Sequence, residues 1–67
     1  MDTEKMQNTI YLTPKDVAVY LQVGKDKAYA LCRLSGFPAI KFGASYRIDP
    51  KKFEKWLDEH IGDVISL

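Results

Sequence analysis

This sequence is poorest in the residues that build metal cages and crosslinks. Cys32 is the only cysteine and His60 the only histidine in 67 residues, so neither an intrachain disulfide nor a Cys/His zinc site can be assembled. No stretch approaches the ~18 consecutive apolar residues of a membrane span, and the opening MDTEKMQNTI lacks the basic and apolar blocks of a signal peptide. The expected compartment is the cytoplasm, with no membrane partner. A glycine-rich phosphate loop is missing as well. Asp58 and Glu59 are adjacent on one helical stretch and do not converge on a substrate, and Cys32 falls on an apolar stripe, where a thiol acts as a small hydrophobe. No enzyme, no cofactor, no metal and no small-molecule ligand are expected.

What remains is a short chain with an ordinary core-forming composition. The hydrophobic share of 46% and charged share of 28% lie far from those of disordered chains, so a single small domain is expected to fold on its hydrophobic core alone. The net charge is only +1, yet it is unevenly spread. Residues 25–55 hold eight cations against three anions, a balance of +5, while residues 1–24 and 56–67 carry −1 and −3. A basic centre between acidic ends can present one face to a polyanion.

Glycine and proline are scarce and mark the boundaries. Residues 1–9 are polar and unpatterned and read as a flexible arm, residues 10–62 as the folded domain, and 63–67 as a tail without assignment. Thr13, Pro14 and Asp16 form a helix start, with the threonine as cap and the carboxylate three residues on. A first helix is expected from Pro14 to about Leu21, burying Pro14, Val17, Ala18 and Leu21 and leaving Val19 and Tyr20 outside. Gly24 supplies the backbone freedom for a tight turn or cap. A second helix then runs from Lys25 to about Leu34, with Ala28, Leu31, Cys32 and Ser35 inward, Asp26, Ala30 and Arg33 outward, and Lys27 and Tyr29 flanking. Gly36 and Pro38 close it.

AIKFGASYRI alternates with period two. Placing Ile40, Phe42, Tyr46 and Ile48 on one core face requires an odd loop, so the expected hairpin has a three-residue loop of Gly43, Ala44 and Ser45. Lys41 then lies opposite Arg47, a mildly repulsive pair. Asp49 and Pro50 open a third helix carrying Phe53, Trp56, Leu57, His60 and Ile61 at core spacing, with Gly62 as its stop.

Two short helices about a tight turn, followed by a basic-tipped hairpin, are the layout of a winged helix-turn-helix, a small α+β fold. The run from Tyr11 to Leu57 also resembles the excisionase-type winged helix-turn-helix domains, relatives of the DNA-binding heads of MerR-type regulators. The resemblance is carried by "LT" before "DVA", the "VG" turn, Tyr29 and Leu31, "GFPAIKFG", "YRI" and "FEKWL". It implies a second helix in the major groove of double-stranded DNA, with Lys25, Asp26, Lys27, Tyr29, Ala30 and Arg33 facing the bases and phosphates. It also implies a hairpin wing that touches DNA through Lys41, Gly43, Ser45 and Arg47. Ala30 stands where relatives often carry a basic residue, and Gly43-Ala44-Ser45 where they often carry Gly-Gly-Arg, so positive charge is reduced at both places. A 67-residue chain is expected to have no effector domain.

By resemblance, the function is that of an excisionase, which binds and bends an attachment region and assists an integrase of the tyrosine recombinase class in excising a phage or integrative element. Neighbouring copies on DNA are the other expected partners. A small transcriptional regulator of the same fold, and a protein-interaction module without DNA binding, are the two alternatives.

Overall fold

The computed structural model describes residues 10–67, so the expected arm at 1–9 lies outside the described residues. In chain order the elements are α1 (Pro14–Leu21), α2 (Lys25–Cys32), β1 (Ala39–Phe42), β2 (Ser45–Ile48) and α3 (Pro50–Glu59). The arrangement is a small α+β winged helix-turn-helix, with α1 and α2 packed together and the β1–β2 hairpin following them.

The start of α1 is the capping box read from the sequence. The Thr13 hydroxyl accepts from the Asp16 N–H at 3.1 Å, and the Thr13 N–H donates to the Asp16 carboxylate at 2.9 Å. Pro14, Val17 and Ala18 are buried, Leu21 is half-buried, and Val19 and Tyr20 are exposed, as the helical stripe predicts. α3 begins on the same principle. The Asp49 carboxylate accepts from the N–H groups of Lys51 and Lys52 at 3.0 and 3.1 Å, and Pro50 stands in the first turn.

Two expectations at helix ends are corrected. α2 stops at Cys32, short of Leu34, with Arg33 as its C-cap; Gly36 turns the chain with φ +87°, and Ser35 is exposed instead of joining the inward stripe. In the turn between α1 and α2 Gly24 is the N-cap of α2 in an ordinary extended conformation, one of the two uses expected of it, and the left-handed residue is Gln22 (φ 57°). At the end of α3 the chain leaves the helix at His60 and turns at Gly62 (φ +91°), so Ile61 projects into solvent at 79% exposure.

The hairpin register is the largest correction. Ala39 pairs with Ile48, Ile40 with Arg47, Lys41 with Tyr46 and Phe42 with Ser45, leaving a two-residue loop of Gly43 and Ala44. Gly43 has φ +59° and Ala44 has no positive φ, the sign pattern of a II′ turn with glycine at its first central position, whose twist matches that of the strands. The shift by one residue moves β1 onto the other face. Ile40 and Phe42 therefore point outward beside Ser45 and Arg47, at 47% and 59% exposure, while Ala39, Tyr46 and Ile48 turn toward the core. The Lys41 to Arg47 pair does not form.

The core is completed by Phe37, which lies in the loop between α2 and β1 and was not singled out by any periodic pattern. Its ring meets Phe53 edge-on at 5.7 Å and Trp56 at 5.0 Å. Val17, Ala28 and Ile48 are fully buried around them. Leu12 pairs with Ile48 through two backbone hydrogen bonds of 2.8 Å and ties the chain ahead of α1 to the wing. His60 stacks on Trp56 at 4.2 Å, and its Nδ1–H donates to the Trp56 carbonyl at 2.7 Å. Cys32 is buried, and that burial pushes its thiol above the ordinary value, which leaves it a packing residue.

Candidate nucleic-acid interface

The short link between α1 and α2 is set by backbone chemistry. α1 ends where Gln22 adopts the left-handed conformation and its N–H donates back to the Ala18 and Val19 carbonyls; the Val23 N–H donates to Ala18 as well, at 3.0 Å. Gly24 then caps α2 with backbone alone and no side-chain hydrogen bond. The first turn of α2 therefore presents its N–H groups in an open notch lined by Gln22, Val23, Gly24, Lys25, Asp26 and Lys27.

α2 buries Ala28, Leu31 and Cys32, and that choice fixes what it offers to a partner. Lys25, Asp26, Lys27, Tyr29 and Arg33 are exposed, and Ala30 is half-buried. All six sequence-derived residues of this helix thus fall away from the core, Ala30 less completely than the rest. Arg33 sits just past the helix as its C-cap, with its N–H shared between the carbonyls of Tyr29 and Ala30 at 3.2 Å.

The wing residues Lys41, Gly43, Ser45 and Arg47 are also all exposed, but the register divides them. Lys41 shares a face with its cross-strand partner Tyr46, and its Nζ lies 5.8 Å from the centre of that ring. Ser45 and Arg47 lie on the opposite face, where the Arg47 guanidinium donates to the Tyr46 carbonyl at 2.7 Å. One cation thus flanks each side of the ribbon. Tyr46 in turn meets Tyr29 of α2, with ring centroids 6.3 Å apart at 70°, so a single aromatic contact links helix and wing.

Pattern reading missed Phe42 as a surface residue. A signal for it exists: a glycine in first position after Phe42 favours the two-residue II′ loop over a three-residue loop that wants glycine last.

Among the described residues no group of three or more His, Cys, Asp or Glu side chains could hold a metal ion, and no helix is long and apolar enough to cross a membrane. The arrangement offers positive charge and hydrogen-bond donors on a protruding helix and a protruding hairpin. A family model described as a helix-turn-helix domain matches residues 11–61, which covers both helices, the hairpin and α3. No curated protein and no solved structure matches.

Proposed function

The chain belongs to the helix-turn-helix domain family, and we propose that it acts as an excisionase, a DNA-bending partner of a recombinase. The coarser part follows from the family: a helix-turn-helix domain binds double-stranded DNA in a sequence-specific way, with its second helix in the major groove. The observation that carries the mode of DNA contact is the pairing of an exposed, cation-bearing α2 with a hairpin flanked by a cation on each face. Lys25, Lys27 and Arg33 on the one element, and Lys41 and Arg47 on the other, give a single module two places to grip a duplex.

In this proposal α2 supplies the groove reader through Lys25, Asp26, Lys27, Tyr29, Ala30 and Arg33, and the wing supplies backbone contacts through Lys41, Gly43, Ser45 and Arg47. Binding at several sites of an attachment region shapes the DNA for an integrase of the tyrosine recombinase class, which performs the strand chemistry; the protein itself contributes no catalytic step. The resemblance of Tyr11 to Leu57 to excisionase-type domains is what supports excision over other uses of the fold.

The test is footprinting on DNA flanking its own gene, followed by an excision assay with the neighbouring integrase. Protection within attachment repeats and a gain of excision are expected. Protection confined to a promoter, with no change in excision, would assign the protein to transcriptional control instead. Binding should also weaken with salt along a log–log slope of roughly −4 to −5, as for about four to six phosphate contacts, and no binding at ~50 mM salt would remove the DNA reading altogether.

A further inference from the structure

We propose that Phe42 is a wedge, which the hairpin carries into the minor groove of bound DNA to unstack a base step and kink the duplex. The proposal rests on the DNA-binding reading and adds the residue and the geometry by which bending is done. Three observations carry it.

The first is the placement of the ring. Phe42 is the last residue of β1, at the outer end of the ribbon, and the II′ turn sets it on the outward face at 59% exposure. Among the described residues its ring touches no other aromatic ring, whereas Tyr29, Tyr46, Phe37, Phe53 and Trp56 all do. Its cross-strand partner is Ser45, too small to shield it. At 59% exposure this large apolar side chain lies outside the buried core cluster.

The second is the shape of the tip. The two turn residues, Gly43 and Ala44, carry no side chain larger than a methyl group, so the end of the ribbon is slim enough to approach a groove roughly 6 Å wide. The third is charge. Lys41 lies on one face of the ribbon and Arg47 on the other, so a ribbon entering the minor groove meets a phosphate strand with a cation on either side. An apolar side chain flanked by cations on both faces suits DNA better than an apolar protein surface. Phenylalanine is among the side chains that minor-groove proteins insert between base pairs, and pyrimidine–purine steps yield most readily.

The test uses the full chain and a short duplex from a footprinted site with 2-aminopurine replacing adenine at its TA and CA steps, read by fluorescence and by a bend assay. Wild-type protein should raise fluorescence at one step and bend the duplex. Phe42→Ala should lose both signals and bind roughly 5- to 150-fold more weakly, the range for losing one base–aromatic stack, while Phe42→Leu keeps part of the bend. Circular dichroism on the two variants checks that the fold is unchanged. If wild type binds but Phe42→Ala bends and unstacks equally well, the wedge is overturned while DNA binding stands. Loss of cooperative loading alone would make Phe42 a contact between copies and would likewise overturn it. If wild type does not bind DNA, the functional reading fails and the wedge with it.

Discussion

Tyr29 of α2 and Tyr46 of β2 meet edge to face, with ring centroids 6.3 Å apart and planes at 70°. Tyr46 also carries Lys41 over its ring, so the wing is referenced to α2 through one side chain. A double-mutant cycle of Tyr29→Ala and Tyr46→Ala, read by urea unfolding, should return a coupling of about 0.5–1.5 kcal/mol. Tyr46→Ala should also weaken DNA binding, because the wing loses its fixed angle to α2. Additive effects on stability would mean that the rings are neighbours without interacting.

Gly43 is held at φ +59° with open space around the position a Cβ would take, so its restriction is conformational and not steric. Gly43→Ala should therefore destabilise the protein by about 1–2 kcal/mol, the usual penalty for an L-residue forced left-handed. D-alanine at the same position, introduced by chemical synthesis, should be tolerated. Equal loss from both enantiomers would point to a clash and would contradict the II′ assignment.

The starts of α1 and α3 were fully legible because their signals are local: Thr13 and Asp16 satisfy each other's backbone N–H groups, and the Asp49 carboxylate satisfies those of Lys51 and Lys52 with Pro50 fixing the first turn. The hairpin was not, because period-two alternation fixes which residues share a face without saying which face is buried. Counting Ile40 and Phe42 as core forced an odd loop and an unwelcome pairing of Lys41 with Arg47. The turn decided otherwise, and the core is closed by Phe37 with Ile48 and, half-buried against it, Tyr46, while Ile40 and Phe42 stay exposed. Phe37 escaped pattern reading because it lies in a loop, outside any repeating element. At the interface, the exposure of the α2 residues followed from helical phase, which needs no long-range information. The split of the wing cations between two faces depended on the register and so could not be read until the turn was known.

The capping box gives α1 a pH signature. The Thr13 backbone N–H, and then its hydroxyl, hold the Asp16 carboxyl below its ordinary value of 3.8, with smaller help from the charges of Lys15 and Arg47. A depressed carboxylate contributes stability above its unfolded pKa and loses it as pH falls through the folded one. Asp16→Asn should accordingly lower the melting temperature at neutral pH, and the gap to wild type should close on acidification below 3.8. Thr13→Ala should cost about 0.5–2 kcal/mol at neutral pH by removing the cap oxygen. A difference between wild type and the Asp16→Asn variant that stays constant through the acid range would remove the charge from this account.

Arg33 and Arg47 should separate base reading from backbone holding. Arg33 stands at the C-terminal end of α2, where a cation also suits the helix dipole, so its side chain has a structural use worth about 0.3–1 kcal/mol without any DNA. If that were its whole role, Arg33→Ala would lower stability slightly and leave preference among DNA sites unchanged. A base contact predicts something different: a loss of about 1–3 kcal/mol on the preferred site and little on others, so that the sites become alike. Arg47 is anchored to the Tyr46 carbonyl on the outward face of the wing, away from α2's contact with the ribbon. Arg47→Ala should weaken all sequences equally and flatten the salt dependence by about one unit of slope. Measuring both variants on a preferred and a scrambled duplex across a salt series distinguishes the two roles. Identical behaviour would mean that α2 and the wing both hold the backbone, and that sequence is read through the deformation of the DNA instead of through its base edges.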